Sequence, residues 1–114
     1  MPATVVLDIL SGMPNPEWGL APEIASQICY YIMTSTPLVP PLPYELPGLG
    51  YRGLLVQLPD CEAAEASIRI YNSMIENGDV FFSDENRHLE RMLLDTARDA
   101  IDKTLLDHAI DALK

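Results

Sequence analysis

Three side chains have the chemistry to move a proton and stand beside segments that can display them: Asp8, Glu17 and His88. A cofactorless acid/base enzyme needs only one tuned donor or acceptor, so these three are the candidate catalytic residues. Glu85-x-x-His88 has the helical i, i+3 spacing at which a carboxylate and an imidazole converge on one metal in carboxylate-bridged bundles. Such centres need a second pair, and the only partner pair in the chain, His108 with Asp111, has the reverse order. No metal and no cofactor is expected. Asp95, Asp99 and Asp102 fall on a helix edge opposite an apolar stripe, which reads as a solvated face.

The candidate ligand-binding residues are Asn15, Trp18, Tyr51 and Arg52. The first two lie in Ser11-Gly-Met-Pro-Asn-Pro-Glu-Trp18, a loop stiffened by two X-Pro pairs and set between a strand and a helix start, where ligand sites are often placed. Asn15 can bond its own backbone and Trp18 can cover a pocket. The competing reading has Asn15 capping a turn and Trp18 stapling the loop to the core. Arg52, flanked by Tyr51 and Gly53, can present a guanidinium to a ligand carboxylate; the competing reading is an internal pair with Asp8 or Glu17.

Nucleophilic catalysis finds no motif. There is no Gly-x-Ser-x-Gly elbow and no Gly-rich phosphate loop, and neither Cys29 nor Cys61 has a histidine close in sequence. Two isolated cysteines behind an N-terminus without a basic, signal-like region are expected to be reduced thiols, with Cys29 a small buried hydrophobe in a helix.

The elements that must position these residues follow from pattern. Thr4-Val-Val-Leu-Asp-Ile-Leu10 is a β-branched run stopped by Ser11-Gly12, and predicts a strand over 4–10 followed by a rigid loop over 11–21. Pro22-Glu23 reads as a first helical turn, and Ile24, Ile28, Tyr31 and Ile32 carry helical spacing through 22–35. Five prolines between Thr36 and Pro47 predict a surface crossover over 36–50, and its Pro37-x-x-Pro40 and Pro40-x-x-Pro43 spacings match a degenerate Pro-rich ligand pattern. Leu54–Leu58, Ser67–Tyr71 and Val80–Phe82 supply strands within 51–82, with a hairpin turn at Asn77-Gly78-Asp79.

From Ser83 to Lys114 there is neither Gly nor Pro, and an apolar stripe with a period of 3.6 runs from Leu89 to Ala112. One helix of that length would reach roughly 45 Å at 1.5 Å per residue, too long for a domain of this size. Either it breaks near Asp102–Thr104, with Thr104 and Asp107 as a capping pair, or it projects as an arm that packs on a second copy. The expected fold is one α+β domain over 1–114: a small sheet of three to four strands, packed by an N-terminal helix and a long or broken C-terminal helix over 84–114.

Asp8-Ile9-x-Ser11-Gly12-x-Pro14-Asn15-Pro16-x-Trp18 resembles the N-terminal signature of a family of small proteins of uncharacterised function. Gly50-Tyr51-Arg52-Gly53 resembles that family's second motif, and Leu89-Glu90-Arg91-x-Leu93-Leu94 its C-terminal helix, so the likeness spans most of 4–97. The chain departs from the pattern at Met13, where the family shows Arg, at Leu54 in place of Phe and at Met92 in place of Trp. The resemblance implies a fold and a region of interest around the 11–18 loop; if relatives bind an anion there, Met13 leaves this chain without the arginine that would meet it.

Charge narrows the partners. Seven Lys and Arg stand against 17 Asp and Glu, a formal charge of -10 that repels phosphate backbones and anionic membranes. Nucleic acid and membrane are not expected partners, no segment is long and apolar enough to span a bilayer, and the cytoplasm is the expected compartment. Two functions from different classes fit. One is an accessory or binding protein that recognises a small molecule or peptide near the 11–18 loop and forms a homodimer through its C-terminal helix. The other is a small cofactorless enzyme that uses Arg52 to orient an anionic metabolite.

Overall fold

A run of seven residues from Thr4 to Leu10 forms β1, which lies inside a six-stranded sheet instead of at its margin. The computed structural model describes residues 2–10, 14–39 and 50–112. The remaining strands are β2 (Glu17–Gly19), β3 (Gly50–Gln57), β4 (Ile68–Tyr71), β5 (Met74–Asn77) and β6 (Val80–Ser83). Every neighbouring pair is antiparallel, in the order β2-β1-β3-β4-β5-β6. Among the described residues three helices accompany it: α1 (Pro22–Thr34), α2 (His88–Thr96), entered through a 3-10 turn at Glu85–Arg87, and α3 (Lys103–Ala112).

The sheet corrects the expected three to four strands. Two strands escaped the sequence pattern for physical reasons. β2 is three residues long, too short for alternation to register, and it lies inside what read as the rigid loop; its Trp18 stands opposite Val5. β5 follows β4 through a two-residue turn at Asn72-Ser73, both with positive φ (51° and 69°). Tight hairpins need that conformation and usually announce it with Gly, which is absent here.

Cross-strand register gathers the core. Leu7, Leu54, Ile70, Ile75 and Phe82 are successive partners across five strands, and all are buried. Beside them Trp18, Val5, Val56 and Ile68 form a second buried row. Ile28 and Ile32 of α1, Leu89, Leu93 and Leu94 of α2, and Leu106 and Ala109 of α3 complete this cluster. The opposite face carries Val6, Leu55, Arg69, Glu76 and Phe81 in register, all only partly buried.

A bulge in β3 sets the phase of this pattern. Leu54 pairs with Leu7 and Tyr51 with Ile9, so Arg52 and Gly53 together oppose Asp8. The extra residue turns Tyr51 and Leu54, three apart, onto the same buried face. Gly53 sits at φ +98°, and a Cβ there would lie 2.6 Å from Tyr71 Cβ and 2.7 Å from the Ile70 carbonyl oxygen. Only glycine fits.

The C-terminal region is broken, with a cap different from the expected one. α2 stops at Thr96, residues 97–102 turn, and Asp102 rather than Thr104 caps α3: its Oδ1 accepts from Thr104 N at 2.8 Å and Leu105 N at 3.4 Å. The break folds α3 back, and Leu106 and Ala109 are buried within the chain.

The cysteines also require a correction. Cys29 of α1 and Cys61, in the turn after β3, form a disulfide with Cα atoms 5.9 Å apart. Sequence spacing of 32 residues carried no sign of it, because the pairing arises only when α1 is laid against the far end of β3. Of the Pro-rich crossover, positions 40–49 lie outside the described residues, as do Ser11, Gly12 and Met13 of the loop and the last two positions of the C-terminal region.

Candidate functional site

Asn15 and Trp18, singled out in the N-terminal loop, bond to the strand and helix beside it. Pro14–Pro16 leads the chain back beside β1, where the Pro16 carbonyl accepts from Leu7 N at 2.9 Å and Asn15 Oδ1 accepts from Ile9 N at 3.1 Å. These two acceptors occupy strand donors that would otherwise face an open edge. Trp18 is buried, and its Nε1 donates to Thr96 Oγ1 at 2.8 Å, tying β2 to the end of α2. Glu17 is exposed on the edge strand.

Asp8 pairs with Arg69, not with Arg52. Arg69 Nη1 donates to Asp8 Oδ2 and to the Arg52 carbonyl, both at 2.8 Å, so one guanidinium holds the bulge against β1. Arg52 is half-buried on β3, and among the described residues its Nε is buried without a hydrogen-bond partner.

Tyr51 leads to a buried, heavily bonded carboxylate absent from the sequence candidates. Its hydroxyl donates to Oε2 of Glu90, a residue with no exposed surface. The same carboxylate accepts two bonds from Arg87, Nε at 2.8 Å and Nη2 at 2.9 Å, and one from Asn72 N at 3.1 Å. Arg87 also lies over the Tyr71 ring, 6.0 Å from its centroid. Four donors satisfy Glu90 completely, which is what a buried charge requires and leaves no lone pair for a substrate.

Electrostatics follow this packing. Burial first, then the charge and hydrogen bond of Glu90, push the Tyr51 phenol well above its ordinary range, so it stays a donor. Burial alone would lower the Arg87 guanidinium, but the Glu90 bond and charge outweigh it and raise it. Asp84 is buried ahead of α2, with Oδ1 accepting from Leu89 N at 2.8 Å and Oδ2 from Glu90 N at 3.1 Å. Desolvation raises its carboxyl despite those two bonds. The signal that could have found this cluster is the sequence Asp84-x-x-Arg87-x-x-Glu90, whose two steps of three put an anion before a helix start and an i, i+3 ion pair on it.

Cavities at three places are lined by described residues. One of 570 Å³ lies between α1 and the start of α2, lined by Tyr31, Asp84, Glu85, Asn86, His88 and Arg91. Its polar groups are already engaged in part: Tyr31 donates to the Ser83 carbonyl at 2.6 Å, Asp84 caps α2, and Arg91 Nε donates to the Asn86 carbonyl at 3.3 Å. No group of three or more His, Cys, Asp or Glu side chains gathers around a potential metal position among the described residues.

The other two cavities adjoin at the disulfide. A cavity of 350 Å³ is walled mainly by apolar groups, among them Ala3, Leu20, Pro22, Ala25 and Leu58, together with both cysteines. Its neighbour, 550 Å³, shares Pro2, Leu58, Pro59 and Cys61 with it and is finished by Thr4, Gln57, Ala64 and Glu65. Neither is lined by Asn15, Trp18, Tyr51 or Arg52; of the catalytic candidates, His88 alone lines any of the three. Comparison with family models, with curated proteins and with solved structures finds no match for this chain.

Proposed function

We propose that this chain is a non-catalytic binding protein whose ligand is a small apolar molecule seated in the 350 Å³ cavity between α1 and the end of β3. The observation that carries the reading is the cavity's construction. Pro22 and Pro59 stiffen two of its walls, and the disulfide holds α1 at a fixed distance from the β3–β4 connection. A preformed concavity with apolar walls and few polar groups is the usual form of a small-molecule site. This moves the proposed site away from the 11–18 loop, whose described residues bond to β1 and α2.

An acid/base enzyme draws no comparable support. Its candidates Asp8, Glu17 and His88 stand respectively in an ion pair on β1, on an exposed edge and at the start of α2. Self-association through the C-terminal helix is not supported by α3 either, since Leu106 and Ala109 are consumed by the chain's own core. No helix among the described residues is long and apolar enough to cross a membrane. The Cys29–Cys61 bridge weighs toward an oxidising compartment, against the cytoplasmic expectation, because such bridges persist where thiols are not kept reduced.

Titration with the neutral fluorophore N-phenyl-1-naphthylamine tests the reading. Saturable fluorescence enhancement that disappears in Ala25→Trp, which fills the cavity from α1, is the expected result. Absence of saturable binding to the folded, oxidised protein overturns it.

A further inference from the structure

We infer that the two cavities meeting at Cys61 form one amphipathic groove that takes a ligand with an apolar tail and a cationic head, in preference to neutral and, still more, to anionic amphiphiles. The inference rests on the proposed binding function and specifies its ligand class.

Three observations combine. The cavities share Pro2, Leu58, Pro59 and Cys61, so a molecule leaving the apolar half enters the polar half across a common wall. The halves differ in chemistry. The first is walled by Ala, Leu and Pro side chains with the disulfide, which offer contact area but few bonds. The second carries Thr4, Gln57 and Glu65, which offer hydroxyl, amide and carboxylate. Thr4 donates to Gln57 Oε1 at 3.1 Å, leaving that amide's NH₂ directed by a fixed carbonyl end.

Charge then selects the head group. Asp60 lines the apolar half and Glu65 the polar half, and no Lys or Arg is among the described lining residues of either. Asp60 has a partner already, so Glu65 is the carboxylate on which the preference rests. Glu65 is held in place through its backbone, whose N–H donates to Asn77 Oδ1 at 2.8 Å, while the side chain is exposed. A formal charge of -10 adds a long-range field of the same sign, attracting cations and repelling anions.

Three ligands with one octyl chain and different heads separate the terms: octyltrimethylammonium, octyl glucoside and octyl sulfate, each below its micelle concentration, displacing the bound naphthylamine from the oxidised protein. The ammonium is expected to compete about three- to tenfold better than the glucoside at low salt, the range of a partly exposed ion pair reinforced by net charge. The sulfate is expected to be weakest. Glu65→Gln should cut the ammonium's advantage to the smaller part that net charge supplies and leave the glucoside unchanged, and 0.5 M salt should shrink the advantage in the wild type. Equal competition by all three heads, or an ammonium advantage undiminished in Glu65→Gln, overturns the inference while the binding reading stands. Failure of all three, together with failure of the fluorophore, overturns both.

Discussion

The indole Nε1 of Trp18 donates to Thr96 Oγ1 at 2.8 Å, so a three-residue edge strand is anchored to the last residue of α2 across 78 positions of sequence. Thr96 Oγ1 in turn donates to the Leu93 carbonyl at 2.6 Å, which orients it as the acceptor. Trp18 is therefore a structural bolt, and its loss is a stability effect. Trp18→Phe keeps most of the ring packing and loses the bond, an expected cost of about 1 kcal/mol. Trp18→Ala also opens a core cavity and is expected to cost about 3–5 kcal/mol. Urea unfolding followed by far-UV circular dichroism reads both, and a Trp18→Ala protein as stable as wild type would refute the anchor.

Removing the Glu90 carboxylate strands Arg87. Glu90→Ala leaves a half-buried guanidinium, the Tyr51 hydroxyl and Asn72 N without their common acceptor, with an expected loss of about 3–5 kcal/mol. Tyr51→Phe takes away one of four donors and should cost less, about 1–3 kcal/mol. The same denaturant curves rank the two variants, and the reverse order would show that Tyr51, not the ion pair, organises the cluster.

Two glycines of one strand should respond differently to alanine. At Gly53 a methyl meets the backbone of β4 at 2.7 Å with φ at +98°, and Gly53→Ala is expected not to reach the folded state. At Gly50 φ is +82°, but the nearest atom, His108 Nε2, is 3.7 Å away, so the cost is that of the backbone conformation alone, about 1–3 kcal/mol. Soluble yield and thermal melts of the two proteins decide this.

Reduction should destabilise without unfolding the sheet. The Cys29–Cys61 bridge closes a span of 32 positions, for which chain-entropy arguments give about 3–4 kcal/mol. Adding a phosphine reductant is expected to lower the denaturant midpoint, and the Cys29→Ser/Cys61→Ser double variant should match the reduced protein. An unchanged midpoint on complete reduction would show that the bridge constrains little.

Asp84 predicts a pH effect of defined sign. Its folded carboxyl titrates above the unfolded value of about 3.9, so the folded state holds the proton more tightly. The stabilisation is present in full below that value and is lost as pH rises through the folded one. Compared with Asp84→Asn, which cannot titrate, the wild type should therefore lose stability as pH rises across that window. Parallel curves for the two proteins would contradict the buried, desolvated carboxyl.

Local chemistry determined β1, α1 and the turn at Asn77–Asp79, because β-branched runs, Pro22 at a helix start and Asn-Gly pairs act within a few residues. The acidic balance was equally plain, because it is a count of residues that no folding changes. Tertiary structure alone decided everything that depends on distance between remote positions. The Trp18–Thr96, Asp8–Arg69, Tyr51–Glu90 and Cys29–Cys61 links span 78, 61, 39 and 32 residues, and no pattern along the chain encodes such separations. Glu90 read as one acid on a helix, and became a buried hub only when β3, the β4–β5 turn and α2 met around it. The groove at Cys61 likewise exists only because α1 and the N-terminal strand converge on the end of β3, so its walls come from four separate stretches of chain.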